Sequence, residues 1–178
     1  MEIEQIVLLD KDLQPIGAAP KLASHHTDTP LHLAFSCYVF DDKGRLLVTR
    51  RAQQKKVWPG IWTNTCCGHP SPGEVIEQAV HRRLLQELGM KVTDLKLALP
   101  DFRYRCEFNK IVENEFCPVF VARAISEPSL NPDEVGEYVW LSWEELKDDI
   151  VQRNDDYSYW CKLQIPLLEA GGFVPTTD

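Results

Sequence analysis

Residues 68–90 read Gly68-His69-Pro70-Ser71-Pro72-Gly73-Glu74-Val75-Ile76-Glu77-Gln78-Ala79-Val80-His81-Arg82-Arg83-Leu84-Leu85-Gln86-Glu87-Leu88-Gly89-Met90. At about 100° per residue, Val75, Ile76, Ala79, Val80 and Leu84 fall on one arc of a helix. The spacing predicts a helix over 75–88, with a turn at 70–73 before it and Gly89 as its C-terminal cap. Arg83 and Glu87 lie inside the apolar arc, beside Ile76 and Val80. Opposite charges four apart pair on a helix surface, so one reading is an ion pair at the rim of the core. Charges seldom occupy an apolar face without a task. The sharper reading is that this face meets a ligand cavity, with Arg83 toward an anion and Glu87 toward a cation.

Outward from this helix, Ile61–Cys67 reads as a short strand, and 51–60 is a basic loop ending in Trp58-Pro59-Gly60. The runs 32–40 and 46–50 are apolar and β-favouring, with Asp41-Asp42-Lys43-Gly44 between them as hairpin chemistry. Residues 6–9 form a short strand, 10–12 its turn, and 21–30 a polar loop or partly helical segment. Downstream, 97–108 and 112–124 read as two strands of a second hairpin, followed by a Pro-containing loop at 127–133. A strand at 138–141, a Ser142-capped helix to about 150 and a helix over 157–170 containing Pro166 complete the chain. Strands mixed with a few helices indicate an α/β (α+β) sandwich. There is no repeat, low-complexity tract or domain-dividing linker, so residues 1–178 are expected to form a single domain.

Composition narrows the class. The chain has 178 residues, 44% apolar and 26% charged, which excludes disorder, collagen and coiled coil for the whole. A net charge of −8, from 27 acids against 19 bases, argues against nucleic-acid or anionic-membrane partners. It leaves room for a small anion in a local basic pocket. Met1-Glu2-Ile3-Glu4 lacks a signal-peptide pattern, and the longest apolar-rich run, 31–40, is too short to span a bilayer. Six cysteines without a C-x-x-C pair fit reduced thiols and a cytoplasmic location. A cysteine beside a histidine, such as Cys67 near His69, is then a candidate for chemistry.

His25, His32 and His69 lie in separate segments able to converge, and neutral imidazole is a common metal ligand. Glu113 and Glu115 are two apart, so in a strand they share one face. That face is either the solvent side of an edge strand or part of a site. Three imidazoles and two carboxylates suit a six-coordinate divalent ion, with Mg²⁺, Mn²⁺ and Zn²⁺ all open.

The spacing Gly68, Glu74, Arg82, Glu87, Gly89 and Met90 resembles the Nudix box, G-x5-E-x7-R-E-U-x-E-E-x-G-U with U apolar. Arg83 and Gln86 stand where the box has glutamates, and these departures weaken the case for a Nudix hydrolase. Further motifs follow in order. They are His25, Thr29, Leu31 and His32; 63–70; Phe102-Arg103-Tyr104-Arg105; Val112-Glu113-Asn114-Glu115; and Tyr157-Ser158-Tyr159-Trp160. Over nearly the whole chain the sequence is similar to type I isopentenyl-diphosphate isomerases.

The resemblance implies a Nudix-type α/β/α sandwich with a mixed sheet. It implies interconversion of isopentenyl and dimethylallyl diphosphate through a tertiary carbocation, without a redox cofactor. It assigns proton transfer to Cys67 and Glu115, with Tyr104 beside the carboxylate, and the cation-facing wall to Trp160. A cysteine's ordinary pKa of about 8.5 suits such exchange. The resemblance assigns the diphosphate to Lys21, Arg51, Lys55 and Arg83, a first divalent metal to His25, His32, His69, Glu113 and Glu115, and a substrate-bound Mg²⁺ to Glu87. Arg50 and Lys56 are left as surface, and the assembly is expected to be a monomer or homodimer. A nucleoside-diphosphate hydrolase and a non-catalytic metal-stabilised module are the competing readings.

Overall fold

The computed structural model describes residues 4–175. Met1, Glu2 and Ile3, which enter the signal-peptide argument, lie outside the described residues. In chain order the strands and helices are β1 (Gln5–Leu9), β2 (Pro15–Pro20), α1 (Lys21–Ser24), β3 (His32–Leu33), β4 (Phe35–Phe40), β5 (Leu46–Arg51), β6 (Trp62–Thr63), β7 (Cys66–Gly68), α2 (Ile76–Leu88), β8 (Val92–Leu99), β9 (Arg103–Phe108), β10 (Ile111–Phe116), β11 (Val119–Ala124), β12 (Val135–Leu141), α3 (Trp143–Gln152) and α4 (Tyr159–Ala170).

The strands form two mixed sheets. One runs β2-β1-β3-β10-β9; the other runs β12-β5-β4-β11-β8, with β6 on β5 and β7 on β4. β4 is buried along its whole length because both of its faces are covered. Phe35, Cys37 and Val39 pack with Ala79, Val80, Leu84 and Leu88 of α2. Tyr38 and Phe40 pack with Trp143 and Leu146 of α3 and Ile165 and Leu168 of α4. Side chains alternate along a strand, so one buried run feeds two cores, giving the α/β/α sandwich of the α+β class. The same alternation separates the adjacent cysteines of β7. Cys66 joins the α2 core, while Cys67 packs on the opposite side.

The second hairpin is more divided than the sequence suggests. The pairing is correct, β9 with β10 and β8 with β11, but each predicted strand is broken and its halves lie in different sheets. The breaks fall at residues 100–102 and 117–118, where Pro100 and Pro118 cannot donate to a ladder. Parallel pairing is carried across the second break by Ala34 N–H on Phe116 O and Ser36 N–H on Pro118 O, at 2.9 and 3.1 Å. A left-handed pair, Asn109 and Lys110, closes β9 to β10 in two residues, as the strand twist favours. Likewise, 61–67 forms two short strands rather than one.

Helix α2 begins one residue later than predicted. Val75 is its N-cap and is exposed, not part of the buried arc. Gly89 adopts φ 57°, and Gly89 N–H and Met90 N–H reach Leu85 O and Leu84 O. Arg82 forks onto both carboxylate oxygens of Glu74 at 2.7 Å and donates to His69 O at 3.2 Å. This clamp ties the 69–74 turn to the helix.

Gly68 is required for space. A Cβ there would lie 2.9 Å from Arg83 Cγ and 3.0 Å from Phe35 Cζ, both on buried side chains. Gly68→Ala is expected to cost about 1–3 kcal/mol through overpacking. Calorimetry should show a lower Tm than the parent; an unchanged or raised Tm would contradict the packing argument.

Candidate active site

Three separate segments converge on one point. α1 ends just before His25, β3 begins with His32, and β7 leads directly into His69. The ring centroids of the three histidines lie 5.0, 5.1 and 5.7 Å apart. Across the sheet, β10 supplies Glu115, which is in register with His32 in the parallel pair and with Tyr104 in the antiparallel pair. One ligand atom from each of His25, His32, His69 and Glu115 fits within 4.8 Å of the others. Glu113 shares the face with Glu115, and both are buried, because β10 is an interior strand. The solvent-edge alternative for these acids is thereby excluded.

The cluster has the polar geometry of a cation site. His25 and His32 turn Nδ1 to carbonyls, Lys21 O at 2.6 Å and Pro30 O at 2.9 Å, leaving Nε2 directed inward. His69 Nε2 lies 3.1 Å from Glu115 Oε1. His25 Nε2 approaches Glu113 Oε2 to 3.2 Å, and His32 Nε2 approaches Glu115 Oε1 to 3.5 Å, neither aligned as a hydrogen bond. Among the described residues, His32 Nε2, His69 Nδ1 and Glu113 Oε2 are buried without a hydrogen-bond partner. Leaving such atoms unpaired costs roughly 1–3 kcal/mol each. A shared divalent cation relieves this for the atoms it binds. Burial pushes His69 down to about 3, so it is a neutral ligand at pH 7. Burial raises Glu115, but the flanking His32 and His69 outweigh it and hold the carboxyl well below the usual carboxylate range. For His69 and Glu115 these are the states a metal requires, whereas burial and the neighbouring Glu115 push Glu113 up, and in His25 burial is outweighed by the Glu113 carboxylate, which raises the imidazole.

Next to this cluster is a cavity of about 480 Å³. It is lined by Cys67, Tyr104, Glu115 and Trp160, and by the charged side chains of Lys21, Arg51, Lys55, Arg83 and Glu87. His25, His69 and Glu113 also reach it, whereas His32 is wholly buried behind it. Tyr104 donates to Glu115 Oε2 at 2.8 Å. The Trp160 ring lies 5.8 Å from that of Tyr104 and 5.5 Å from that of Trp58, so the wall here is aromatic. Cys67 Sγ donates to Asn64 Oδ1 at 3.1 Å and lies 3.5 Å from Ser36 Oγ. Burial pushes the Cys67 thiol up to about 11, so the ordinary value does not describe it; it rests as a thiol.

Three of the four basic side chains are already paired with acids. Lys21 pairs with Glu4 at 3.0 Å, and Lys55 pairs with Glu134. Arg83 binds Glu87 Oε1 at 3.0 and 2.6 Å and reaches Glu134 at 3.3 Å. Both helix readings of Arg83 and Glu87 therefore hold together: an ion pair, and a face on a cavity. The Arg51 guanidinium is anchored to the carbonyls of Val57 and Trp58. Lys56, read from sequence as surface, lines the cavity too, whereas Arg50 bonds Gly60 O and Glu137. Glu4 and Glu134 had no sequence signal. Glu134 is delivered by a loop whose Ser129 and Asn131 N–H groups cap Leu88 O and Glu87 O at the end of α2. Asn64 and Ser36 were also missed as polar partners of Cys67, although Asn64 stands in the 63–70 motif.

The chain is similar to known proteins in sequence and in fold. The NUDIX domain family matches residues 30–161. An isopentenyl-diphosphate Delta-isomerase of Mycolicibacterium vanbaalenii is 53% identical over 170 residues, covering 95% of this chain and 93% of that protein. One of Frankia alni is 59% identical over 145 residues, covering 81% and 75%. Among solved structures, a MutT NUDIX hydrolase from Burkholderia pseudomallei is similar in fold, with TM-score 0.61 and 20% identity, covering 78% of this chain and 98% of that one. A Deinococcus radiodurans protein reaches TM-score 0.65 at 18% identity, covering 84% and 90%.

Proposed function

Because the chain belongs to the Nudix family, and within it to the isopentenyl-diphosphate Delta-isomerases, we propose that it interconverts isopentenyl and dimethylallyl diphosphate by moving a carbon–carbon double bond. One observation carries this reading: a single cavity holds a thiol, a metal-competent carboxylate, an aromatic wall and a set of cations. A diphosphate hydrolase has no use for the first and third. A non-catalytic metal module has no use for the cavity.

The reaction adds a proton to the terminal methylene carbon and leaves a tertiary carbocation. The carbon between the cation and the diphosphate-bearing carbon then loses a different proton. Cys67 and Glu115 exchange these protons from opposite sides of the carbon skeleton. The reaction is reversible, so each acts as acid in one direction and base in the other. Tyr104 holds the Glu115 carboxylate through its hydroxyl. The Trp160 indole faces the cation, an attraction of about 0.5–2 kcal/mol that cannot quench it as water would.

His25, His32, His69, Glu113 and Glu115 would hold one divalent ion, Mn²⁺, Zn²⁺ or Mg²⁺, the first three and Glu115 having ligand atoms within 4.8 Å of one another and Glu113 lying beside His25. Glu87 holds Mg²⁺ that accompanies the substrate diphosphate. Such ions would supply positive charge beside Glu115 and toward the phosphate oxygens. Lys21, Arg51, Lys55 and Arg83 grip the diphosphate, and the paired acids Glu4 and Glu134 yield their cations to it. The chain acts as a single domain, as monomer or homodimer, and binds a small molecule rather than nucleic acid or membrane. Among the described residues no helix is long and apolar enough to cross a bilayer. All six cysteines are free, and a reducing cytoplasm suits them.

The test is to incubate the protein with isopentenyl diphosphate and divalent metal, then assay products. Dimethylallyl diphosphate without phosphate release is expected. Phosphate release without the allylic product would establish the hydrolase instead, and metal binding without turnover would establish the binding module.

A further inference from the structure

Asn64 is wholly buried between β6 and β7 and meets no part of the cavity surface. Its amide nitrogen donates to Cys37 O at 3.0 Å and to Cys66 O at 2.9 Å. Carbonyls only accept, so these two bonds settle which end of the carboxamide is which. The oxygen, Oδ1, must face the other way. There it accepts from three donors: Thr63 Oγ1 at 2.9 Å, Cys67 Sγ at 3.1 Å and Trp160 Nε1 at 3.1 Å. An indole N–H has no second role, so its direction fixes the ring plane.

We propose that Asn64 is a positioning residue for the isomerisation, aiming the Cys67 thiol and the Trp160 ring from one oxygen atom. The inference rests on the assignment of Cys67 and Trp160 under the proposed function and deepens it. The two side chains come from distant parts of the chain, β7 and α4, yet both must face the same few carbon atoms. Anchoring both to one atom locks their separation. The anchor is rigid because its nitrogen is tied to β4 and β7 backbone, which belong to the sheet core. It is also over-subscribed. A carbonyl oxygen has two lone pairs, and here it serves three donors. Thr63 Oγ1 has a second partner in Ser158 Oγ at 2.8 Å, and Cys67 Sγ has Ser36 Oγ at 3.5 Å. The thiol hydrogen can therefore leave Oδ1 during turnover while Thr63 and Trp160 still satisfy that oxygen. Asn64 thus holds the thiol without depending on it.

The experiment compares the metal-loaded parent with Asn64→Leu, Asn64→Asp, Thr63→Val and Cys67→Ala. Leucine keeps the branched shape but removes the oxygen together with the donors to the two carbonyls; aspartate loses the same donors and keeps an acceptor at Oδ1, so the pair isolates the oxygen. Asn64→Leu is expected to lower kcat by about 10²-fold, the cost of misplacing a reacting group, with KM within about threefold. The Trp160 indole N–H resonance should lose its hydrogen-bond shift, and metal content should stay at the parent level. Should Asn64→Leu not fold, Asn64→Asp decides: it is expected to keep that resonance shift and a rate above that of Cys67→Ala, and loss of the shift with a parent-like rate would overturn the role. Thr63→Val leaves two donors on Oδ1 and is expected to stay within about twofold of the parent rate. If Cys67→Ala is inactive but Asn64→Leu turns over like the parent, or loses kcat, KM and metal together, the positioning role is overturned. If Cys67→Ala itself turns over normally, the parent reading falls and takes this one with it.

Discussion

Cys67→Ala is expected to lower kcat for isomerisation on the order of 10²–10⁴-fold, the range a positioned acid–base group supplies. The substitution removes one sulfur from a residue that lines the cavity. Its neighbours on that side, Asn64 Oδ1 and Ser36 Oγ, keep other partners: Thr63 and Trp160 for the first, Gln164 Nε2 at 3.0 Å for the second. No buried polar atom is orphaned, so the variant should fold and melt close to the parent. The adjacent Cys66 faces the α2 core and cannot substitute for it. Steady-state rates with metal content and melting as controls check the expectation. A near-normal rate would remove Cys67 from the mechanism.

Glu115→Gln is expected to be equally damaging, through two routes. The amide keeps the shape and still accepts from Tyr104, which donates to Glu115 Oε2. It cannot take a proton at neutral pH, and it removes the negative charge that the His25, His32 and His69 cluster surrounds. Loss of kcat on the order of 10²–10⁴-fold is expected, together with weaker divalent-metal retention. Exhaustive chelation of the parent should abolish turnover, and added Mn²⁺, Zn²⁺ or Mg²⁺ should restore it. Full activity in metal-free parent protein, or normal metal binding and rate in Glu115→Gln, would contradict the account.

How far the sequence carried the site differs by residue, for physical reasons. The α2 helix was legible because its period, its charged pair and Gly89 are local signals. The histidines were legible as candidates, since neutral imidazole is a common metal ligand, but their convergence depends on α1, β3 and β7 meeting at one place. Glu113 and Glu115 were ambiguous until β10 was found between β3 and β9, because alternation tells which face is shared and not what covers it. The breaks at Pro100 and Pro118 were present in the sequence as residues that cannot donate, yet their effect, moving half of each strand into another sheet, is a tertiary outcome. Glu4 and Glu134 pair Lys21, Lys55 and Arg83 of the basic pocket from far along the chain, and no spacing reveals that. The raised Cys67 thiol was invisible for the same reason: desolvation belongs to the packed state. The net charge of −8 pointed away from polyanions, while the local field of the pocket is set by a few long-range pairs.

The most direct measurement is isomerisation of isopentenyl diphosphate in heavy water, stopped within one turnover and read by position-resolved NMR. Protonation from exchangeable protein groups predicts dimethylallyl diphosphate carrying a single deuterium in a methyl group, formed from the former methylene, with no phosphate released. Allylic product without deuterium would mean a hydrogen shift within the substrate. That result would contradict the assignment of proton transfer to Cys67 and Glu115.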